Sequence, residues 1–308
     1  MKIITLKQIK SQLNINQAIA LQEEGFQLYS SGQVAVPPVA YMNMGEALGE
    51  VHIKCGSIQG DEIFVVKVAG AYPLNEEKVQ GAILVFSAKT GAPLAILQDE
   101  GYLTNLRTAL AGFICAKYMG PKDVQRIGVL GTGLQARLQI EWLQRQTTCR
   151  NLMVWGRNQN KVDQYIEEMT QLGFQVEQAT TPSDVCKRCN LIVTTTSAKE
   201  PLIFSKDVRP GTHITAVGAD APGKQELDPH IFEIADVCVV DSKTQCLDHG
   251  EAFYLKKEQP LVELGEVISD PSLGRTHNDQ ITLADLTGVA VQDIQIAKSI
   301  LAEEGHFN

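Results

Sequence analysis

The stretch Gln125–Gln139, which reads QRIGVLGTGLQARLQ, carries the pattern that decides the fold. Four residues suited to a buried strand, Ile127–Leu130, run into Gly131-Thr132-Gly133, and a helix with apolar residues at three- and four-residue steps follows. In such a unit Gly131 permits the tight turn, Gly133 lets the backbone approach a pyrophosphate, and the small Ala136 lets helix and strand pack closely. The helix N-terminus then offers free N–H groups to the phosphates. The stretch predicts a dinucleotide-binding turn, the alternative being an ordinary tight strand–helix turn.

The segments around this turn predict two domains. Predicted strands alternate with helices over residues 120–289, which is typical of a doubly wound parallel sheet of the Rossmann type. Upstream, several short strands follow one another without intervening helices, and this predicts a mainly antiparallel sheet in an α+β domain over residues 1–119. A last helix, predicted over Leu283–Glu303, is expected to return to the first domain and to complete it with residues from about 290 to 308.

Composition excludes several classes of protein. The chain has 308 residues, of which 44% are hydrophobic and 20% charged, as in soluble globular proteins. A net charge of −9 argues against nucleic acid as a partner, and no apolar run is long enough to span a membrane. Seven cysteines without framework spacing predict reduced thiols in a cytoplasm. The pair Cys186 and Cys189 lacks a second Cys or His pair at zinc spacing, so no metal site is predicted.

The end of the second Rossmann strand indicates which dinucleotide is preferred. A carboxylate that binds the adenosine ribose usually lies about 20 residues past the glycines. Here Val154–Asn158 contains Arg157 and Asn158 and no carboxylate. Because an arginine attracts a 2′-phosphate, NADPH is favoured over NADH as the cofactor. The alternative is a solvent-facing arginine in a β–α turn.

Two loops at the carboxyl ends of parallel strands are expected to border the active site. They are Thr194–Ser197 and Val217–Lys224. In the second loop, Asp220 is a candidate proton relay or orienting carboxylate. An Asp before Ala-Pro-Gly is equally suited to forming a turn, and the spacing alone does not separate these two roles.

Three cations of the first domain would suit a small carboxylate substrate. Lys54 and Lys67 lie within predicted strands, and Arg107 lies in the first turns of a predicted helix. A lysine inside the apolar run Ile63–Val68 is unfavourable unless it faces water or an anion. The alternative is that both lysines lie on the surface of an edge strand.

Several separate stretches, taken together, resemble the ornithine cyclodeaminase and μ-crystallin family. In family order, these stretches are Phe64–Lys67 (FVVK), Leu103–Ala109 with its LRTA core, Gly128–Ala136, Val217–Leu227 (VGADAPGKQEL) and Ile281–Asp293 (ITLADLTGVAVQD). The resemblance implies a homodimer whose first domain carries the β-sheet interface and the substrate pocket.

The resemblance also implies roles for individual residues. Lys67 corresponds to the lysine that contacts the substrate carboxylate, Arg107 to an arginine that contacts both cofactor and substrate, and Asp220 to the acid–base residue. The remaining positions correspond to contacts with the cofactor or, for the last two, with the nicotinamide and the substrate: Leu134, Gln135, Thr196, Val217, Lys224, Leu286 and Thr287.

The chain departs from the cyclodeaminases at two positions. Their substrate-binding arginine is absent from Val36–Ala40, and a lysine, Lys54, lies close to the place of a glutamate that can engage the second amino group of ornithine. A lysine would repel that ammonium group and could bind a carboxylate instead. The sequence therefore most resembles the family's reductases of cyclic imino acids, which act on Δ1-pyrroline-2-carboxylate and Δ1-piperideine-2-carboxylate. The alternatives are ornithine cyclodeaminase, a related imino or amino acid dehydrogenase, and a dinucleotide-binding protein without turnover.

Overall fold

The computed structural model describes residues 1–45, 47–72, 74 and 79–301, and the chain divides into two compact units. Unit 1 comprises Met1–Arg107 and the segment from Val289 onward, and unit 2 comprises Thr108–Gly288. The division falls inside the helix Tyr102–Met119, whereas the sequence prediction put the domain boundary at the end of this helix. Helical periodicity continues without a break through Arg107, so no local signal marks the division.

Unit 1 is built on a mainly antiparallel sheet. Its strands are β1 (Lys2–Thr5), β2 (Val34–Ala35), β3 (Ala40–Asn43), β4 (Glu50–Ile58), β5 (Ile63–Ala71), β6 (Val79–Ser87) and β7 (Pro93–Gln98). Their order is β1-β7-β6-β5-β4-β2, with β3 also paired to β4, and only the pairing of β1 with β7 is parallel among the described strands. The predicted antiparallel sheet is confirmed.

Helices cover the inner face of this sheet. The helices are α1 (Leu6–Gln12), α2 (Ile15–Ser30), α3 (Tyr102–Met119), whose first turns belong to unit 1, and α10 (Ala290–Leu301), which packs on α2, β4 and β5. A Cβ added at Gly56 of β4 would lie 3.2 Å from the Ala290 Cβ, so the glycine lets α10 approach the strand closely. Along β5, every second side chain from Ile63 to Lys67 is buried on this face, namely those of Ile63, Val65 and Lys67.

Unit 2 contains an eight-stranded parallel sheet. Its strands are β8 (Ile127–Leu130), β9 (Asn151–Trp155), β10 (Gln175–Gln178), β11 (Leu191–Thr194), β13 (His213–Ala216), β15 (Val237–Val240), β16 (Leu261–Glu263) and β17 (Thr282–Asp285), while β12 (Lys199–Ile203) and β14 (Gln225–Leu227) form a separate parallel pair. The order β10-β9-β8-β11-β13-β17-β15-β16 reverses direction at β8, as in a doubly wound sheet. The helices are α4 (Leu134–Leu143), α5 (Gln159–Gln171), α6 (Pro182–Arg188), α7 (His230–Ile234), α8 (Lys243–His249) and α9 (Leu264–Ser269). The predicted Rossmann-type fold is confirmed.

The predicted helix over Leu283–Glu303 is wrong in its first part. Thr282–Asp285 forms β17, a fully buried strand between β13 and β15, and Gly288 has a φ of +81° that separates it from the helix starting at Ala290. The run TLAD is too short to show a period, so periodicity could not separate a buried strand from a buried helix here. The predicted residues after Leu301 lie outside the described part of the chain.

No helix in the described part of the chain combines the length and the apolar content needed to cross a bilayer.

Candidate active site

The glycine turn of unit 2 has the geometry of a dinucleotide-binding turn. Gly131 has a φ of +116°, a left-handed value that favours glycine, and its N–H donates to the Trp155 carbonyl at 2.9 Å. A Cβ added at Gly131 would lie 2.5 Å from the Thr195 Oγ1. Gly133 differs, because its φ of −86° suits any residue and an added Cβ would meet no atom of the described part of the chain within 4 Å. Gly133 therefore borders open space at the start of α4, which is where a pyrophosphate would bind.

The first turn of α4 carries the other residues predicted around the pyrophosphate. Ala136 is fully buried, and its carbonyl accepts a 3.0 Å hydrogen bond from the Tyr165 hydroxyl of α5. Leu134 is 46% exposed, and Gln135 is half-buried with its Oε1 near the Gln139 amide. The small Ala136 thus permits close packing, while the helix N-terminus stays accessible to an anion.

A cleft of about 660 Å³ opens beside this turn. Among the predicted cofactor residues, its lining includes Gly131, Arg157, Asn158 and Thr196. The exposed Arg157 makes no ion pair or hydrogen bond with any residue that the structure describes. The Asn158 side chain instead caps α5 by accepting the Lys161 N–H. The Arg157 guanidinium is therefore accessible to a ligand in the cleft, while Asn158 stabilises the start of α5.

A buried glutamate ties together the two loops that the sequence places at the cofactor edge. Glu226 accepts the Thr194 hydroxyl at 2.6 Å, the Thr196 N–H at 2.6 Å and the Gly218 N–H at 2.9 Å. The N–H of Val217 donates to the Thr194 carbonyl at 3.0 Å, so β11 and β13 also end in register. Burial raises the pKa of Glu226, and these hydrogen bonds oppose that shift. Glu226 was not predicted from the sequence.

Asp220 and Lys224 are joined by an ion pair. The Lys224 Nζ lies 2.8 Å from the Asp220 Oδ1, and the Asp220 side chain is 44% exposed. The turn places Gly223 between them with a φ of +81°. An accessible carboxylate paired with the Lys224 ammonium group can accept or orient a proton, and both sequence-predicted roles of Asp220, relay and turn former, are compatible with this geometry.

Leu286 and Thr287 follow β17 and are almost fully buried. The Thr287 hydroxyl donates to the Asp241 Oδ1 at 3.0 Å and accepts from the Gln245 amide at 3.1 Å. The backbone N–H of Gly288 binds the second oxygen of Asp241. Asp241 thus fixes the backbone of this loop from inside unit 2.

Unit 1 brings the three predicted substrate cations together. Lys54 and Lys67 are directly opposite each other on β4 and β5, and both are buried. Arg107 of α3 is also buried. Asp293 of α10 bridges two of these cations, with its Oδ2 3.1 Å from the Lys67 Nζ and its Oδ1 3.3 Å from the Arg107 Nε. The lysines therefore do not lie on the surface of an edge strand.

This group, Lys54, Lys67, Arg107 and Asp293, is called the cation cluster below. Burial, then the neighbouring Arg107, lowers the pKa of Lys67 from 10.5 to about 7, with Lys54 acting in the same direction and Asp293 in the opposite one. Asp99 also faces Lys67, and burial raises the pKa of this carboxyl group although Lys67 opposes the shift. The cluster brings three buried cations together, and an added anion would favour their charged forms.

Asp293 and Glu226 were not predicted from the sequence, although both lie inside stretches that carry the family resemblance. One signal was available for Asp293, because it is an acidic residue in a mostly apolar helix segment, and a buried acid needs a partner. Glu226 gave a weaker signal because it lies in a polar turn where an exposed acid is ordinary. Its role depends on the pairing of β11 and β13, which the local sequence does not contain.

Comparisons with known proteins agree with these features. The model of the Ornithine cyclodeaminase/mu-crystallin family matches residues 1–304. An alanine dehydrogenase of Archaeoglobus fulgidus is 32% identical, covering 97% of this chain and 93% of its own length. A solved archaeal alanine dehydrogenase dimer with bound NAD has a TM-score of 0.87 at 30% identity and covers 98% of this chain and 95% of its own.

A third similar protein is the Thermococcus litoralis Δ1-pyrroline-2-carboxylate reductase in complex with NADH and L-proline. Its TM-score is 0.87 at 26% identity, covering 98% of this chain and 97% of its own. The similar structures thus bind NAD or NADH, and the relatives include amino acid dehydrogenases and imino acid reductases.

Proposed function

Because this chain belongs to the ornithine cyclodeaminase/mu-crystallin family, we propose that it is an NAD(P)H-dependent reductase of cyclic imino acids. The proposed reactions convert Δ1-pyrroline-2-carboxylate to L-proline and Δ1-piperideine-2-carboxylate to L-pipecolate. The observation that carries the proposal is the cation cluster, in which Lys54, Lys67 and Arg107 are all buried and Asp293 contacts the last two. Three buried cations on neighbouring elements suit a ligand that brings its own carboxylate and no second amine.

Different residues of the chain would bind the substrate, handle the proton and hold the cofactor. Lys67 and Arg107, with Lys54, would bind the substrate carboxylate and fix the orientation of the C=N bond, which supplies a large part of the barrier reduction. Asp220 would supply or orient the proton at the ring nitrogen. Bound NADPH or NADH would supply the hydride, held at the glycine turn by the free N–H groups at the start of α4.

The test is a comparison of three activities of the purified protein. Oxidation of NADPH and NADH is measured with Δ1-pyrroline-2-carboxylate, ammonia release is measured from L-ornithine, and oxidation of both cofactors is measured with pyruvate plus ammonium. We expect imine-dependent oxidation to be fastest. Ammonia release without net change of the dinucleotide would overturn the proposal in favour of a cyclodeaminase, which Lys54 disfavours by repelling a second ammonium group.

A second candidate function is an amino acid dehydrogenase that reductively aminates a small 2-oxo acid. The specific observation in its favour is the 32% identity to the alanine dehydrogenase of Archaeoglobus fulgidus. The cation cluster would bind a 2-oxo acid carboxylate equally well. Ammonium-dependent oxidation with pyruvate that exceeds the rate with the cyclic imine would select this function instead.

We expect Arg157 to select NADPH. Replacement of Arg157 by alanine removes the guanidinium that faces the cleft, so the KM for NADPH should rise about 10-fold, the value of one lost charge-assisted hydrogen bond, while the KM for NADH stays unchanged. Steady-state kinetics with both cofactors measure this. The matched control is Arg145→Ala, an exposed arginine that packs on Trp142 outside the cleft lining. An equal loss with both cofactors would show that Arg157 does not contact the 2′-phosphate.

We also propose a homodimer that uses the outer face of the unit 1 sheet. Val68 on this face is 36% exposed, and Phe64 stacks on Phe86 beside it with ring centroids 5.0 Å apart. An apolar sheet face of this kind is typical of an interface. Val68→Glu should therefore weaken the dimer by about 10-fold or more, because it buries an unpaired charge. Sedimentation equilibrium tests this against Leu172→Glu, an exposed leucine at the end of α5, and equal dimerisation of both variants would exclude this face.

A further inference from the structure

Asp293 is the carboxylate of the cation cluster, and it contacts two of the cations. Its side chain is fully buried, and each carboxylate oxygen approaches a different partner, Oδ2 the Lys67 Nζ at 3.1 Å and Oδ1 the Arg107 Nε at 3.3 Å. A fully buried carboxylate is strongly unfavourable unless it is paired, so the position of Asp293 and the positions of both cations depend on each other.

The preceding residue strengthens this arrangement. The Gln292 Oε1 accepts from the Arg107 Nη1 at 3.4 Å, and its Nε2 donates to the Arg107 carbonyl at 3.1 Å. The Gln292 carbonyl accepts the amide of Gln22 on α2 at 2.9 Å. The first turn of α10 therefore fixes the backbone and the side chain of Arg107, and Asp293 places the Lys67 ammonium beside it.

We propose that Asp293 is a positioning residue that holds the Lys67 ammonium and the Arg107 guanidinium side by side for the carboxylate of the substrate. This inference rests on the function proposed above. Asp293 does not contact the substrate in this arrangement. It sets the spacing of the two groups that do, and while no substrate is present it opposes the effects of Arg107 and Lys54 on Lys67.

The arrangement has a consequence for the pH dependence of the reaction. Asp293 raises the pKa of Lys67 against burial, Arg107 and Lys54, and the balance is a value of about 7. A substrate carboxylate binds the protonated form, so kcat/KM should fall as the pH rises through this value. Without the Asp293 charge the pKa of Lys67 falls further, and the alkaline limb of the profile moves to lower pH.

The experiment compares the full-length protein with Asp293→Asn, which keeps the size of the side chain and removes its charge. We expect kcat/KM for Δ1-pyrroline-2-carboxylate to fall about 10- to 100-fold, mainly through KM, with partial recovery when the pH is lowered. Protonation of the imine itself is common to both proteins, so only the difference between the two profiles reports on Lys67. The control is Asp61→Asn, which removes the 2.9 Å ion pair of Asp61 with Lys298 on the same helix and leaves the cluster intact.

A second readout separates this inference from the proposed function. In protein labelled with [13Cε]lysine, the NMR titration of Lys67, assigned through its loss in Lys67→Met, gives its pKa without any substrate. A lower pKa in Asp293→Asn supports the electrostatic part of the inference even if no imine is reduced, in which case only the proposed function fails. An unshifted titration and an unshifted pH profile, with activity lost in proportion to thermal stability, would reduce Asp293 to a structural ion pair and overturn the inference.

Discussion

Replacement of Lys67 by methionine is expected to lower kcat/KM for the cyclic imine by about 100-fold or more, because it removes one partner of a buried, charge-assisted contact with the substrate carboxylate. Lys67 lies on the covered face of the sheet, 3.1 Å from Asp293, and methionine fills the same volume without a charge. Dinucleotide affinity should be unchanged, since the glycine turn belongs to unit 2. Steady-state kinetics and fluorescence titration with NADPH measure the two quantities.

The stability of this variant distinguishes a lost contact from a lost fold. Lys67 has a folded pKa of about 7 against 10.5 in a model peptide, so between these pH values the unfolded chain binds more protons and the native protein gains stability as the pH rises. The buried ammonium therefore destabilises the fold most below pH 7. Lys67→Met should melt no lower than the native protein at acidic pH, and its advantage should shrink at alkaline pH.

A matched control for Lys67→Met is Lys89→Met. Lys89 lies between β6 and β7, its side chain is 76% exposed, and it pairs with Glu62 at 3.2 Å. An exposed pair of this kind contributes little to stability, so Lys89→Met should leave both turnover and melting unchanged. Native-like turnover in Lys67→Met would instead remove Lys67 from the substrate site and, with it, the main support for a carboxylate substrate.

The sequence predicted the fold well wherever the local pattern was sufficient. Ile127–Leu130, Leu191–Thr194 and Val237–Val240 are strands over the predicted residues, because short β-rich runs bounded by turn residues are unambiguous when helices separate them. Thr282–Asp285 was misassigned because its neighbours in the sheet, and not its own sequence, make it a strand. Local patterns thus specify element types, while the pairing of distant segments specifies the exceptions.

Some residues of the candidate site could likewise be predicted from local sequence, and others could not. Lys67 could be singled out because a cation in an apolar segment is anomalous by itself. Arg107 was a candidate as a cation in the first turns of a predicted helix and through the family resemblance. Their common partner Asp293 lies 186 positions or more away along the chain. Its role follows only from the packing of α10 on β5, which the local sequence does not contain. Whether Lys54 is a surface residue or a buried one was likewise undecidable, because the answer depends on its register opposite Lys67.

Replacement of Gly133 by valine should weaken NADPH binding by about 100-fold, since it removes access to two or more charge-assisted hydrogen bonds at the start of α4, and it should leave folding intact. The backbone at Gly133, with φ −86° and ψ −172°, is open to any residue, and no atom of the residues that the structure describes lies within 4 Å of an added Cβ. Neither the fold nor its packing therefore requires glycine here, and the requirement must come from a ligand that approaches the backbone.

The matched variant is Gly131→Ala in the same turn. There the φ of +116° and the 2.5 Å approach of an added Cβ to the Thr195 Oγ1 predict a loss of stability of about 1–3 kcal/mol. Thermal melting should show a loss of stability in Gly131→Ala, and NADPH titration should show a loss of affinity in Gly133→Val. Undiminished NADPH affinity in Gly133→Val would mean that the pyrophosphate does not bind at this helix N-terminus, and the cleft beside Arg157 would then need another ligand. Parallel losses of stability in both variants would instead show that Gly133 is required by the turn itself.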